Sequence, residues 1–88
     1  MLVNRGKDFL ASGDFVSARL LLRRAADAGS ADAALMLGGT FDPLVQRQSA
    51  IGGAVPDVAQ ARQWYKKAAE LGSDAASHQL ANLAKMGQ

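Results

Sequence analysis

The feature that most constrains this chain is a repetition within it. A shift of 43 positions sets residues 14–38 against residues 57–81. Identical residues then coincide at Asp14/Asp57, Ala18/Ala61, Arg19/Arg62, Ala25/Ala68, Ala26/Ala69, Gly29/Gly72, Ser30/Ser73, Ala33/Ala76 and Leu37/Leu80. Arg23 and Arg24 meet Lys66 and Lys67, and Asp27 meets Glu70, so charge repeats in sign as well. A period of tens of residues points to one supersecondary unit used twice, each copy burying its apolar face against the next.

Each copy reads as helix, glycine break, helix. Phe15, Ala18, Leu22, Ala25 and Gly29 recur at spacings of three and four, which lays one small and apolar stripe along a helix. Arg19, Arg23 and Asp27 fall on the opposite face. Val58, Ala61, Tyr65, Ala68 and Gly72 make the same stripe in the second copy, widened by Trp64 and Leu71. Gly29 and Gly72 stand where a helix ends in the left-handed region, with Ser30 and Ser73 next as N-caps and Asp32 and Asp74 in the following first turn.

The rest of the chain fits around these hairpins. The pattern predicts a first helix over Leu2–Ser12 with Val3, Gly6, Phe9, Leu10 and Gly13 on one side, and a third over Ala31–Phe41 with Ala33, Ala34, Leu37 and Phe41 inward. Residues 42–56 hold both prolines and Gly52-Gly53 and read as a long loop, with room for one helical turn around 45–50. A fourth helix is expected over 57–71 and a fifth over 74–86, with Ala76, Leu80, Leu83 and Ala84 inward. The expectation is therefore all-α, a short α-solenoid of about five helices in antiparallel hairpins.

Composition agrees with helices packed through small side chains: 49% of the residues are hydrophobic, but only 6% are aromatic. Eighty-eight residues support one domain of limited core. A net charge of +2 makes no strong field and names no partner. The absence of cysteine excludes disulfides, thiolate metal sites and a thiol nucleophile, and fits a reducing cytosol or a cysteine-poor bacterial periplasm equally. Asn4, Arg5, Lys7 and Asp8 interrupt the N-terminal apolar positions, so no signal peptide is expected, and no stretch approaches the roughly 18 apolar residues of a membrane span.

Residue chemistry offers little to a catalytic reading. His78 is the only histidine and has no metal-ligand spacing around it, so it reads as a surface or groove-lining residue. Gly38-Gly39 and Gly52-Gly53 precede no Lys-Ser or Lys-Thr and follow no apolar strand, which makes them turns rather than phosphate loops. Trp64 and Tyr65 read as core packing, and the pairs Arg23-Arg24 and Lys66-Lys67 as a solvated face near helix C-termini. Neither catalytic residues, a cofactor nor a metal site is expected, and nucleic-acid binding would want a denser basic stripe with exposed aromatics.

The string ARQWYKKAAELGSDAASHQL at residues 61–80 resembles the Sel-one-like repeats, a branch of the tetratricopeptide superfamily. Leu37, Gly38, Asp57, Ala61, Trp64, Tyr65, Lys67, Ala68, Ala69, Gly72, Ala76 and Leu80 match that scheme. The chain departs from it in the longer stretch between Phe41 and Gly52, and in Leu21-Leu22 where the first copy would carry the aromatic pair. The resemblance implies a tetratricopeptide-like right-handed superhelix and an adaptor role without chemistry. On that scheme residues 1–88 form one domain, with a degenerate repeat over about 1–29, a second over about 31–72 and a capping helix over about 73–86.

The expected function is a protein-interaction scaffold that holds a protein or peptide segment on a concave face, with Asn4, Lys7, His78, Gln79 and Asn82 as candidate contacts. The alternative is a structural or self-assembling segment of a larger protein, joined through Leu2, Val3, Leu83 and Met86 at the open ends. Neither nucleic acid nor membrane insertion enters either expectation.

Overall fold

The computed structural model describes residues 2–49 and 56–85, which form α1 (Leu2–Ser12), α2 (Phe15–Asp27), α3 (Ala31–Phe41), α4 (Pro43–Ser49), α5 (Val58–Glu70) and α6 (Asp74–Ala84). Among the described residues there is no strand. Each helix packs chiefly on its neighbours in the order α1, α2, α3, α5, α6, while α4 packs on α3.

Three junctions share one design. Gly13, Gly29 and Gly72 take φ of 84°, 102° and 109°, a region closed to most L side chains. At Gly29 the amide donates to the Ala26 carbonyl at 2.9 Å and the Ser30 amide to that of Ala25 at 3.0 Å. Gly72 repeats this, donating to Ala69 at 3.0 Å while Ser73 donates to Ala68 at 2.9 Å. At Gly13 the bonds run to Leu10 at 3.1 Å and from Asp14 to Phe9 at 2.8 Å. These paired bonds satisfy carbonyls that a helix end leaves open. The next residue then caps the following helix: Asp14 accepts from the Ser17 amide at 3.1 Å, Ser30 from Ala33 at 3.1 Å and Ser73 from Ala76 at 3.3 Å.

Between the helices two glycines set the closest approaches. A Cβ on Gly6 of α1 would stand 2.7 Å from Leu22 Cδ2 on α2, and one on Gly38 of α3 would stand 2.6 Å from Tyr65 Cδ1 on α5. Leu22 and Tyr65 are equivalent under the 43-residue shift, and each seats a large side chain on a bare glycine of the helix packed against its own, Gly6 of α1 and Gly38 of α3. The core around them is alanine-rich: Ala18, Ala26, Ala33, Ala34, Ala61, Ala68 and Ala76 are fully buried, with Leu22, Leu37, Tyr65 and Leu83. Small side chains let the helix axes close up, and the few large ones fill the remaining space.

Several expectations are corrected. Six helices are present among the described residues rather than five, because the loop expected after Phe41 begins with α4. Asp42-Pro43 starts it, the carboxylate accepting from the Leu44 amide at 2.8 Å and the proline standing at the first helical position, where no amide is needed. The fourth and fifth expected helices end earlier than read, at Glu70 and Ala84. Leu71 does not widen the apolar stripe; it is 39% exposed at the turn. Ala84 is exposed instead of inward. Leu83 is fully buried, which removes it from the end contacts foreseen for self-assembly. Arg19, on the face opposite the apolar stripe, is half-buried and bonded to Thr40 at the end of α3. Met86 and Gly52-Gly53 lie outside the described residues, and the side chains of Leu2 and Val3 outside the described side chains.

Candidate binding cavity and its polar back wall

An open cavity of about 290 Å³ lies among the helices, walled by Leu10, Phe15, Leu35, Met36 and Val45, with Gly39, Thr40, Gln46, Tyr65 and Gln79 completing it. Its volume sits at the small end of ligand-sized pockets, which run from about 300 to 1,000 Å³. The walls come from different parts of the chain: Leu10 from α1, Phe15 from α2, Leu35 and Met36 from α3, Val45 from α4 and Gln79 from α6. Gly39 supplies a gap in the wall, since a Cβ there would meet nothing nearer than Val45 Cγ1 at 3.8 Å.

Behind this surface runs a buried polar network. The Tyr65 hydroxyl donates to Asp42 Oδ2 at 2.7 Å, and both side chains are fully buried. Burial first, and then the hydrogen bond and charge of Asp42, push the Tyr65 hydroxyl far above the usual phenol range, so it stays protonated and remains a donor. Beside it, Arg19 Nε donates to Thr40 Oγ1 at 3.1 Å and Nη2 to the Thr40 carbonyl at 2.6 Å. The guanidinium also lies 3.8 Å from the centroid of the Phe41 ring. Burial lowers the Arg19 pKa, and the charge of Asp57 opposes that shift. Gln46 Nε2 joins by donating to the Thr40 carbonyl at 3.0 Å. Thr40 in turn donates its hydroxyl to the Leu37 carbonyl at 2.6 Å.

The aromatic pair divides. Tyr65 is core, as read, but Trp64 is only partly buried. Arg23 stands 5.5 Å and Lys67 6.0 Å from the Trp64 ring centroid, and Lys67 also reaches Asp27 at 3.7 Å. The indole Nε1 is itself buried and has no hydrogen-bond acceptor.

Of the five candidate contact residues, Gln79 alone lines the cavity. His78 and Asn82 are exposed on the same helix, where the Asn82 amide donates to Gln79 Oε1 at 3.4 Å. Asn4 and Lys7 are exposed on α1, away from the lining. Of the apolar wall residues only Leu10 and Phe15 stand on stripes that the sequence pattern picks out, and nothing in the spacing brings α1, α3, α4 and α6 to one opening. Among the described residues no group of three or more His, Cys, Asp or Glu could hold a metal ion, and no helix is long and apolar enough to cross a membrane.

No family model, curated protein or solved structure matches this chain. Functional inference therefore rests on geometry. The lining can shield apolar groups from water and includes Gln79 as a polar residue; its tyrosine hydroxyl is committed to Asp42. That is the chemistry of binding an uncharged, apolar surface.

Proposed function

We propose that the chain is a protein-interaction module of the Sel-one-like, tetratricopeptide-like type, without catalytic activity, and that the cavity receives an apolar side chain of a partner segment. The observation that carries this reading is the open wall of Leu10, Phe15, Leu35, Met36 and Val45, an apolar surface from four helices left facing solvent. The repetition of glycine turns and glycine-seated side chains supports the repeat-type fold behind it.

Selection from a displayed peptide library tests it. The chain should enrich peptides with a recurrent aliphatic or aromatic anchor, and Met36→Glu should abolish the enrichment while helical circular dichroism is kept. A library that enriches nothing, or enriches equally on the variant, removes the cavity as the binding surface.

A second reading, a self-assembling segment, has its own observation. Val16 is 83% and Leu20 54% exposed, one turn apart on α2. Sedimentation over a range of concentrations decides it: a monomer throughout ends this reading, and Val16→Lys with Leu20→Lys should dissolve any dimer that forms.

A further inference from the structure

We propose that the face of α6 formed by Ser77, Ala81 and Ala84 docks one helix of a separate protein partner, laid antiparallel to α6, with a side chain no larger than valine seated over Ala81. None of the three residues lines the cavity, so this contact stands or falls apart from the one proposed there.

The repetition within the chain shows what covers such a face. The 43-residue shift sets Ala34, Gly38 and Phe41 of α3 against Ser77, Ala81 and Ala84 of α6. The first three are buried and the second three exposed. Ala33 and Thr40, by contrast, are buried in α3, and so are their equivalents Ala76 and Leu83 in α6. Thr40 is bonded to Arg19 of α2, so the side that packs on the preceding helix is kept: α2 on α3, α5 on α6. The side of α3 that α5 covers is the one left bare on α6. There Gly38 meets the Tyr65 ring and the Ala61 carbonyl oxygen, and the Asp57 amide donates to the Phe41 carbonyl at 2.8 Å, so α5 runs antiparallel to α3. Helix α1 is covered in the same way, with Gly6 under Leu22 of α2.

Ala81 decides what the partner presents. It carries the Cβ that on Gly38 would stand 2.6 Å from Tyr65 Cδ1, and on Gly6 2.7 Å from Leu22 Cδ2. At the same helix spacing tyrosine and leucine are too large for this seat, and alanine or valine fits. Charge sets the direction: exposed Asp74 begins α6 and exposed Lys85 follows it, which suits an antiparallel helix with an acidic start and a basic end. A second copy does not offer such a helix from α2 or α5, whose stripes at Ala18, Leu22 and Ala25 and at Ala61, Tyr65 and Ala68 are buried in their own chain.

A synthetic peptide of residues 57–72, which has the small-residue stripe, an aspartate at its start and two lysines towards its end, tests the proposal when titrated into the isotope-labelled whole chain. With Tyr65→Val in the peptide, the amides of Ser77, Ala81 and Ala84 should show the largest shifts, and the unaltered peptide should bind about tenfold more weakly. Ala81→Gly in the chain should reverse that order. Ala81→Glu, at an exposed position, should abolish binding of both peptides while helical circular dichroism is kept. No shifts at millimolar peptide, shifts centred on α3 or on the cavity, or an unchanged order on Ala81→Gly would overturn the proposal. A dimer in sedimentation that Ala81→Glu dissolves would overturn it as well, by giving the face to a second copy.

Discussion

Tyr65 and Asp42, 23 residues apart in the chain, meet through one 2.7 Å hydrogen bond with both side chains out of contact with water. The bond joins the middle of α5 to the start of α4. A buried carboxylate needs every partner it has, and the Leu44 amide already serves the other oxygen. Tyr65→Phe keeps the packing and leaves one carboxylate oxygen unsatisfied. It should cost about 1–3 kcal/mol, read as a lower denaturant midpoint with an unchanged slope.

The same pair gives a pH dependence with a defined sign. Tyr65 is raised above its ordinary pKa, so the folded state favours the neutral phenol. An unfolded chain ionises its tyrosine near pH 10. The contribution of this group to stability is therefore full below about pH 10 and is lost as pH rises above it. Because Tyr65 is the only tyrosine, tyrosinate absorbance reports it alone, and it should appear together with loss of helical circular dichroism rather than before it.

Two adjacent glycines should respond to alanine with opposite signs. A Cβ on Gly38 would stand 2.6 and 2.7 Å from Tyr65 ring atoms and 3.3 Å from the Ala61 carbonyl oxygen, neither of which can yield cheaply. Overpacking of this kind costs about 1–3 kcal/mol, more than the gain of about 0.5–1 kcal/mol from replacing a helical glycine. Gly39 faces the cavity with nothing closer than 3.8 Å. Gly39→Ala should thus stabilise by about 0.5–1 kcal/mol, and thermal unfolding of the two variants checks both signs.

Arg19 is the residue whose setting the sequence concealed most completely. Its spacing from Arg23 and Asp27 puts it on a polar face, but α3 lies against that part of α2 and its end supplies the Thr40 carbonyl and the Phe41 ring. Arg19→Lys keeps the charge and loses the planar fork that stacks and donates at once. The loss should be about 1–3 kcal/mol by chemical denaturation, and Arg19→Gln should not be much worse if geometry rather than charge is the main contribution.

What the sequence made legible was local. Gly29-Ser30 and Gly72-Ser73 declare both the end of one helix and the cap of the next, since left-handed φ and side-chain capping are properties of the residues themselves. The alanine stripes likewise give the buried faces of α2, α3 and α5. Asp42 was concealed, because its surrounding prolines and glycines signal a loop and its partner Tyr65 lies on another helix. The cavity was concealed for the same reason: Gln79 was singled out, while Leu35, Met36 and Val45 join it only through packing between helices.

Trp64 is the only tryptophan, and its neighbours make it a charge-sensitive probe. The indole is partly buried, with Arg23 at 5.5 Å and Lys67 at 6.0 Å from its ring and Asp27 beside Lys67 at 3.7 Å, so two positive charges and one negative charge stand near it and the local field is positive. Iodide should be concentrated there and caesium repelled, by an amount that shrinks as added salt screens the field over about 10 Å at 0.1 M ionic strength. Fluorescence quenching at low salt should therefore be clearly stronger with iodide than with caesium, and intermediate between a free and a sealed indole for a neutral quencher such as acrylamide. Replacing Arg23 and Lys67 together with glutamine should remove the preference for iodide without shifting the acrylamide result. Equal quenching in the wild type would mean that the two cations do not hold their places over the ring, and negligible quenching by all three agents would mean that Trp64 is sealed in the core with Tyr65.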